Sequence, residues 1–82
     1  MKFKNYFQYK VFENGKIVNP KGEVLKPRKD GFYELSILGK NRRLRCSHIV
    51  LFAFEIYPLR FKQQVKHIDG NLNNNSLNNL KW

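Results

Sequence analysis

Turn-forming residues interrupt the first half of the chain so often that a helix has no room to form there. Four of the five glycines fall before residue 40, which leaves only short strands between them. Asn14-Gly15 follows the segment 9–13, and Asn19-Pro20-Lys21-Gly22 follows 16–18. Asp30-Gly31 opens a longer alternation through Phe32, Tyr33, Leu35 and Ile37, and Gly39, Lys40 and Asn41 form the next turn. Such pairs accept the positive φ of tight hairpins, and alternating apolar residues turn one strand face inward. The pattern predicts two tight hairpins, a short strand over 23–26 before Pro27, the best strand over 32–38, and a basic strand over 42–46 with Leu44 inward.

One stretch breaks this rhythm. Ser47 is a good helix N-cap, and Ile49, Phe52, Ala53 and Ile56 follow at helical spacing. Val50, Leu51 and Phe54 make the other side apolar as well, so the helix is expected at the centre of the fold, ended by Pro58. Residues 59–64 connect it to a short strand from Val65 into His67. The expected class is α+β: a small N-terminal antiparallel sheet of hairpins (1–46), one buried central helix (47–58) and a C-terminal motif (65–82), all in one domain over 1–82.

Composition fits that size. A chain of 82 residues buries about 60–65% of its extended surface on folding. Seven Phe, four Tyr and one Trp supply an aromatic-rich core, and stability of about 5–10 kcal/mol is expected. The single cysteine, Cys46, rules out an internal disulfide and points to a reducing cytoplasm, of a cell or of an infected host. With no activating partner in the sequence, it reads as a buried structural thiol. No apolar run reaches the length of a membrane span, and the start MKFKNYFQYK lacks the apolar core of a signal peptide. Sixteen Lys and Arg against six Asp and Glu give a net charge of +10, which calls for a polyanionic partner, nucleic acid first. AT-rich codon usage would also inflate both lysine and asparagine.

The chemistry concentrates in VKHIDGNLNNNSLNNLKW, residues 65–82. Val65, Ile68, Leu77, Leu80 and Trp82 are its apolar anchors, leaving His67, Asp69, Asn74, Asn75 and Asn79 to bond water, metal or phosphate. Only histidine titrates near pH 7 unperturbed, so His67 is the candidate general base. Asn74 and Asn75 follow it by seven and eight residues and Asn79 by twelve. This pattern, H-I-D-G-N, then N-N, then N-L-x-W, resembles the core of the HNH endonucleases of phages and mobile introns, whose site is a ββα fold around one divalent metal. SHIVLFAFEIYP, residues 47–58, is similar to the helix that precedes the motif in that family.

The resemblance implies that His67 activates the attacking water and that Asn79 orients His67 or the loop around it. Asp69 is then mainly structural and is the remaining candidate metal ligand. Lys66 stands where the family commonly has a metal ligand, and a second ligand would come from a helix past Trp82, so the motif reads as partial and short at its C-terminus. Two unit charges about 4 Å apart interact by roughly 4 kcal/mol at an effective dielectric of about 20, and a lysine facing a divalent ion by about twice that. The cofactor is therefore Mg²⁺ or Mn²⁺ if the site works, and none if it does not.

Lys26, Arg28, Lys29, Lys40, Arg42, Arg43, Arg45 and Lys66 are the candidate nucleic-acid contacts, with Arg43 and Arg45 on one strand face and Arg42 on the other. Tyr33 beside them could stack on a base. His48, at the helix start, is read as a packing residue. Three functions follow: a nucleic-acid-binding protein on an HNH scaffold, DNA ahead of RNA, with chemistry weak or lost; an active metal-dependent HNH endonuclease; or a phage-type inhibitor gripping a nucleoprotein complex.

Overall fold

The computed structural model describes residues 2–60 and 63–82; of the connector 59–64, Phe61 and Lys62 lie outside the described residues. Strands β1 (Phe3–Tyr6), β2 (Tyr9–Phe12) and β3 (Ile17–Val18) form an antiparallel sheet in that order. β1 was not expected from the sequence, because its hairpin turns at Phe7-Gln8, where Phe7 takes φ 55° with no glycine or asparagine to signal the turn. The expected strand over 23–26 shrinks to one bridge, Val18 to Val24. Asn19 is the reason: its Oδ1 accepts the N–H groups of Lys21 (3.0 Å) and Glu23 (2.9 Å), which curls the chain into a turn.

β4 (Phe32–Ile37) and β5 (Lys40–Arg45) form a separate two-stranded ribbon, with Ile37 paired to Lys40. The turn is therefore Leu38-Gly39, with φ 52° and 79°, and Lys40 and Asn41 belong to the strand rather than to the turn. Positive φ at both central positions matches the twist of the ribbon.

β5 runs without a loop into α1 (Cys46–Ala53). The helix differs from expectation at both ends. Arg45, still extended, is the N-cap, and Ser47 is a buried residue of the first turn rather than the cap. At the other end Ile56 N–H donates to Leu51 O (2.9 Å) and Glu55 N–H to Phe52 O (3.0 Å), with Glu55 at φ 60°. That is a Schellman closure with glutamate at the position glycine usually holds. It stops the helix before Pro58 and leaves Ile56 exposed at the surface.

β6 (Lys66–His67) pairs antiparallel with β7 (Leu80–Lys81), which follows a 3-10 turn at Leu77–Asn79. The terminal segment is thus a hairpin clasp and not only an anchored loop. Leu80 is buried and Val65, Leu77 and Trp82 pack against the core, whereas Ile68, expected as an anchor, is 62% exposed. The fold is α+β, with small antiparallel sheets around one helix.

Val11, Ile17, Leu35, Ile49, Val50 and Leu51 are fully buried, each contributing about 1.5–3 kcal/mol of burial. α1 is covered on most sides, as its apolar circumference requires. Two bonds lock the pieces together: Ser36 N–H donates to Tyr9 Oη (2.8 Å), and Leu77 N–H donates to Glu13 O (2.6 Å). The second fastens the C-terminal clasp to the N-terminal sheet.

Candidate functional site

The clasp is closed by a turn and an asparagine network. Gly70 takes φ 76° and donates its N–H to His67 O (2.9 Å). Asp69 Oδ1 accepts from Asn71 N–H (2.8 Å) and Asn79 Nδ2 (2.9 Å), and Asp69 Oδ2 accepts from Asn74 Nδ2 (2.8 Å). These donors, Asn74 first, hold the Asp69 carboxyl below the usual carboxylate range, and the neighbouring His67 adds to the effect. Asn79 is buried and returns the favour through Oδ1, which accepts Asp69 N–H at 3.0 Å, while its Nδ2 also reaches Asn74 O at 2.9 Å. The side-chain bonds of Asn79 thus go to the loop around His67.

His67 meets a different asparagine. Its Nε2 lies 2.9 Å from Asn75 Oδ1, within hydrogen-bond distance. Asparagines in an irregular loop ordinarily bond the local backbone as turn-makers. Asn74 fits that reading, since its Oδ1 accepts Ser76 N–H at 3.3 Å. Asn75 follows it only through Nδ2, 3.5 Å from Leu72 O, while its Oδ1 faces the ring. An asparagine eight residues from a histidine carries no local signal of contact, because the loop between them decides it.

β5 and β6 each lend a residue to one cleft. Arg45 and His67 both line a cavity of about 460 Å³ that also includes Tyr33, Ser47, Asn73 and Asn75. A neighbouring cavity of about 350 Å³ shares Arg45, Ser47, His67 and Leu72 and extends to His48 and Val65. Of the expected nucleic-acid contacts, Arg45 alone walls these clefts. It also stacks on Phe32, 4.6 Å from the ring centroid.

The other cations are exposed and divided between faces. Residues directly opposite in the ribbon share a face, so Arg43 and Arg45 lie with Glu34 and Phe32, while Lys40 and Arg42 lie with Ile37 and Leu35. Arg28 pairs with Glu34 at 3.8 Å, and Lys26 and Lys29 stand exposed beside it. Tyr33 lies on the other ribbon face from Arg43 and Arg45: it packs against the core, and burial raises its hydroxyl above the usual tyrosine range. The aromatic on the cationic face is Phe32. Lys66 faces Lys81 across the clasp, on the side away from His67 and Leu80. Lys81 is a cation the sequence reading missed, since only the pairing reveals it.

Two further groups are structural. The Cys46 thiol is buried, donates to Gly15 O at 3.2 Å and is pushed up to about 11 by burial. His48 packs edge-on against Trp82 with centroids 5.3 Å apart, and burial, with Arg45 nearby, lowers its titration.

Among the described residues the ligand set for a divalent metal is sparse. Hard cations take several oxygen ligands, yet both Asp69 oxygens are engaged by asparagine donors and the residue before His67 is a lysine on the opposite strand face. Among the described residues, no group of three His, Cys, Asp or Glu stands close enough to hold a metal ion. None of the described helices is long and apolar enough to cross a membrane.

No family model matches the sequence, and no curated protein matches it either. The fold itself is that of the HNH endonucleases, a nuclease scaffold related to nucleic acids. One solved structure with this likeness is the HNH homing endonuclease I-HmuI, described for its DNA binding and cleavage: 30% identity, TM-score 0.80, covering 100% of this chain. The chain spans about half of that protein, 52% of its length.

Proposed function

We propose that this chain is a nucleic-acid-binding module on an HNH endonuclease scaffold, with DNA preferred over RNA and with hydrolysis weak or lost. The observation that carries the reading is the pairing of Arg45 with His67 on one cleft while the loop asparagines occupy both oxygens of Asp69. A guanidinium and an imidazole on one cleft are chemically suited to a phosphate. A metal would meet an Asp69 carboxylate that already accepts three hydrogen bonds. The likeness to a DNA-cleaving HNH protein supports DNA as the polymer, and the net charge of +10 supports a polyanionic partner.

Binding of labelled duplex across a salt series tests this. Neutralising about six phosphates gives a log–log slope of about −5. A slope near zero removes the reading, and weak binding to bare duplex beside a stable complex with a nucleoprotein redirects it to the inhibitor role. The ordered His67–Asn75 bond favours a second reading, a metal-dependent endonuclease with His67 as base. Supercoiled plasmid nicked with Mg²⁺ or Mn²⁺, and left intact by His67→Ala, would establish that alternative.

A further inference from the structure

His67 sits at the end of a line of contacts that begins in the N-terminal hairpin. The Asn75 amide turns Nδ2 toward Leu72 O (3.5 Å) and Oδ1 toward the ring (2.9 Å). An amide oxygen only accepts, so the ring nitrogen facing it carries the proton. In the neutral imidazole the lone pair is then on Nδ1.

Behind Asn75 stands Gly15, buried and at φ 92°. A Cβ placed there would lie 3.0 Å from Asn75 O and 3.2 Å from Asn75 Cβ. Gly15 in turn is fastened to the start of α1 through its carbonyl, which accepts the Cys46 thiol proton. Residues 15, 46, 67 and 75 come from four separate segments, and together they fix one ring.

We propose that Asn75 is the positioning residue for His67, and that Gly15 is the backstop that seats Asn75, so that Nε2 stays protonated and Nδ1 stays available as a proton acceptor. The geometry stands without any nucleic acid. Only its chemical use rests on the reading of His67 as a base.

Nitrogen-15 NMR of the whole chain, above the pH at which the imidazoles titrate, tests the arrangement with no ligand present. The expected wild-type result is an Nε2-protonated His67 with a slowly exchanging Nε2–H signal. Asn75→Ala should lose that slow signal, Asn75→Asp should keep it because a carboxylate also accepts, and Gly15→Ala should weaken it. Throughout, the His48 and Trp82 signals report whether the fold persists. An Nδ1-protonated ring in the wild type, or a protected Nε2–H that survives Asn75→Ala, overturns the proposal. If Asn75→Ala does not fold, the wild-type and Asn75→Asp spectra decide. Because no DNA is present, failure here is separate from failure of the binding reading.

Discussion

Asp69 and Asn79 hold each other from both ends: Asp69 N–H donates to Asn79 Oδ1 at 3.0 Å, and Asn79 Nδ2 donates back to Asp69 Oδ1 at 2.9 Å. Asn79 is buried and also serves Asn74 O. Removing it leaves several groups without partners at once, so Asn79→Ala should cost about 2–3 kcal/mol, read as a fall in the urea midpoint. A cost below about 0.5 kcal/mol, the level of an ordinary surface change, would mean the loop closes without it.

Acid should weaken the fold in two windows. A group whose folded value lies below its unfolded one is fully stabilising above the unfolded value and loses that as pH falls through the folded one. For His48, lowered by burial and Arg45, stability should decline as pH falls below 6.5. For Asp69, held down by its asparagine donors, the decline should start near pH 3.8 and continue below it. Melting curves across pH should show both steps, and His48→Phe and Asp69→Asn should each flatten their own.

Leu38 is 83% exposed and held at φ 52° in the first central position of its turn. Asparagine suits that conformation and leucine does not, by roughly 1 kcal/mol. Leu38→Asn should raise the melting temperature by several degrees, on the order of 4–8 °C per kcal/mol for a domain of this size. No rise would mean the leucine is engaged elsewhere.

Glu55 presents the same case at the end of α1, with φ 60° and an exposed side chain. Glu55→Gly should stabilise by about 0.5–1 kcal/mol despite the freedom glycine adds to the unfolded chain. Chemical denaturation would detect it as a higher midpoint at unchanged slope.

Phosphate contacts should be separable by position. Arg45→Ala, in the cleft, and Lys81→Ala, opposite Lys66, should each make the salt slope of duplex binding shallower by about 1. Arg42→Ala lies on the other face of the ribbon from Arg43 and Arg45. If it alone changes the slope, the polymer runs along the opposite side.

What could be read locally was read: the hairpin at Asn14-Gly15, the turn at Asp30-Gly31 ahead of β4, the buried helix around Ile49 to Leu51, and the α+β class. Those follow from turn propensity, periodicity and side-chain type, all properties of neighbours in the chain. The turns at Phe7 and Leu38 and the helix stop at Glu55 were not visible, because residues that ordinarily avoid positive φ are forced into it by the pairing and packing on either side.

The composition and order of residues thus determined which groups are available: an excess of cations, one imidazole in an asparagine-rich turn, and enough apolar side chains to bury a single helix. Tertiary structure alone decided which of them meet. Arg45 reaches the His67 cleft because β5 runs straight into α1, Asn75 rather than Asn79 reaches the ring, and Gly15 supports Asn75 from sixty residues away in sequence. Such long-range neighbours are set by how the core packs around α1, and no local pattern encodes them.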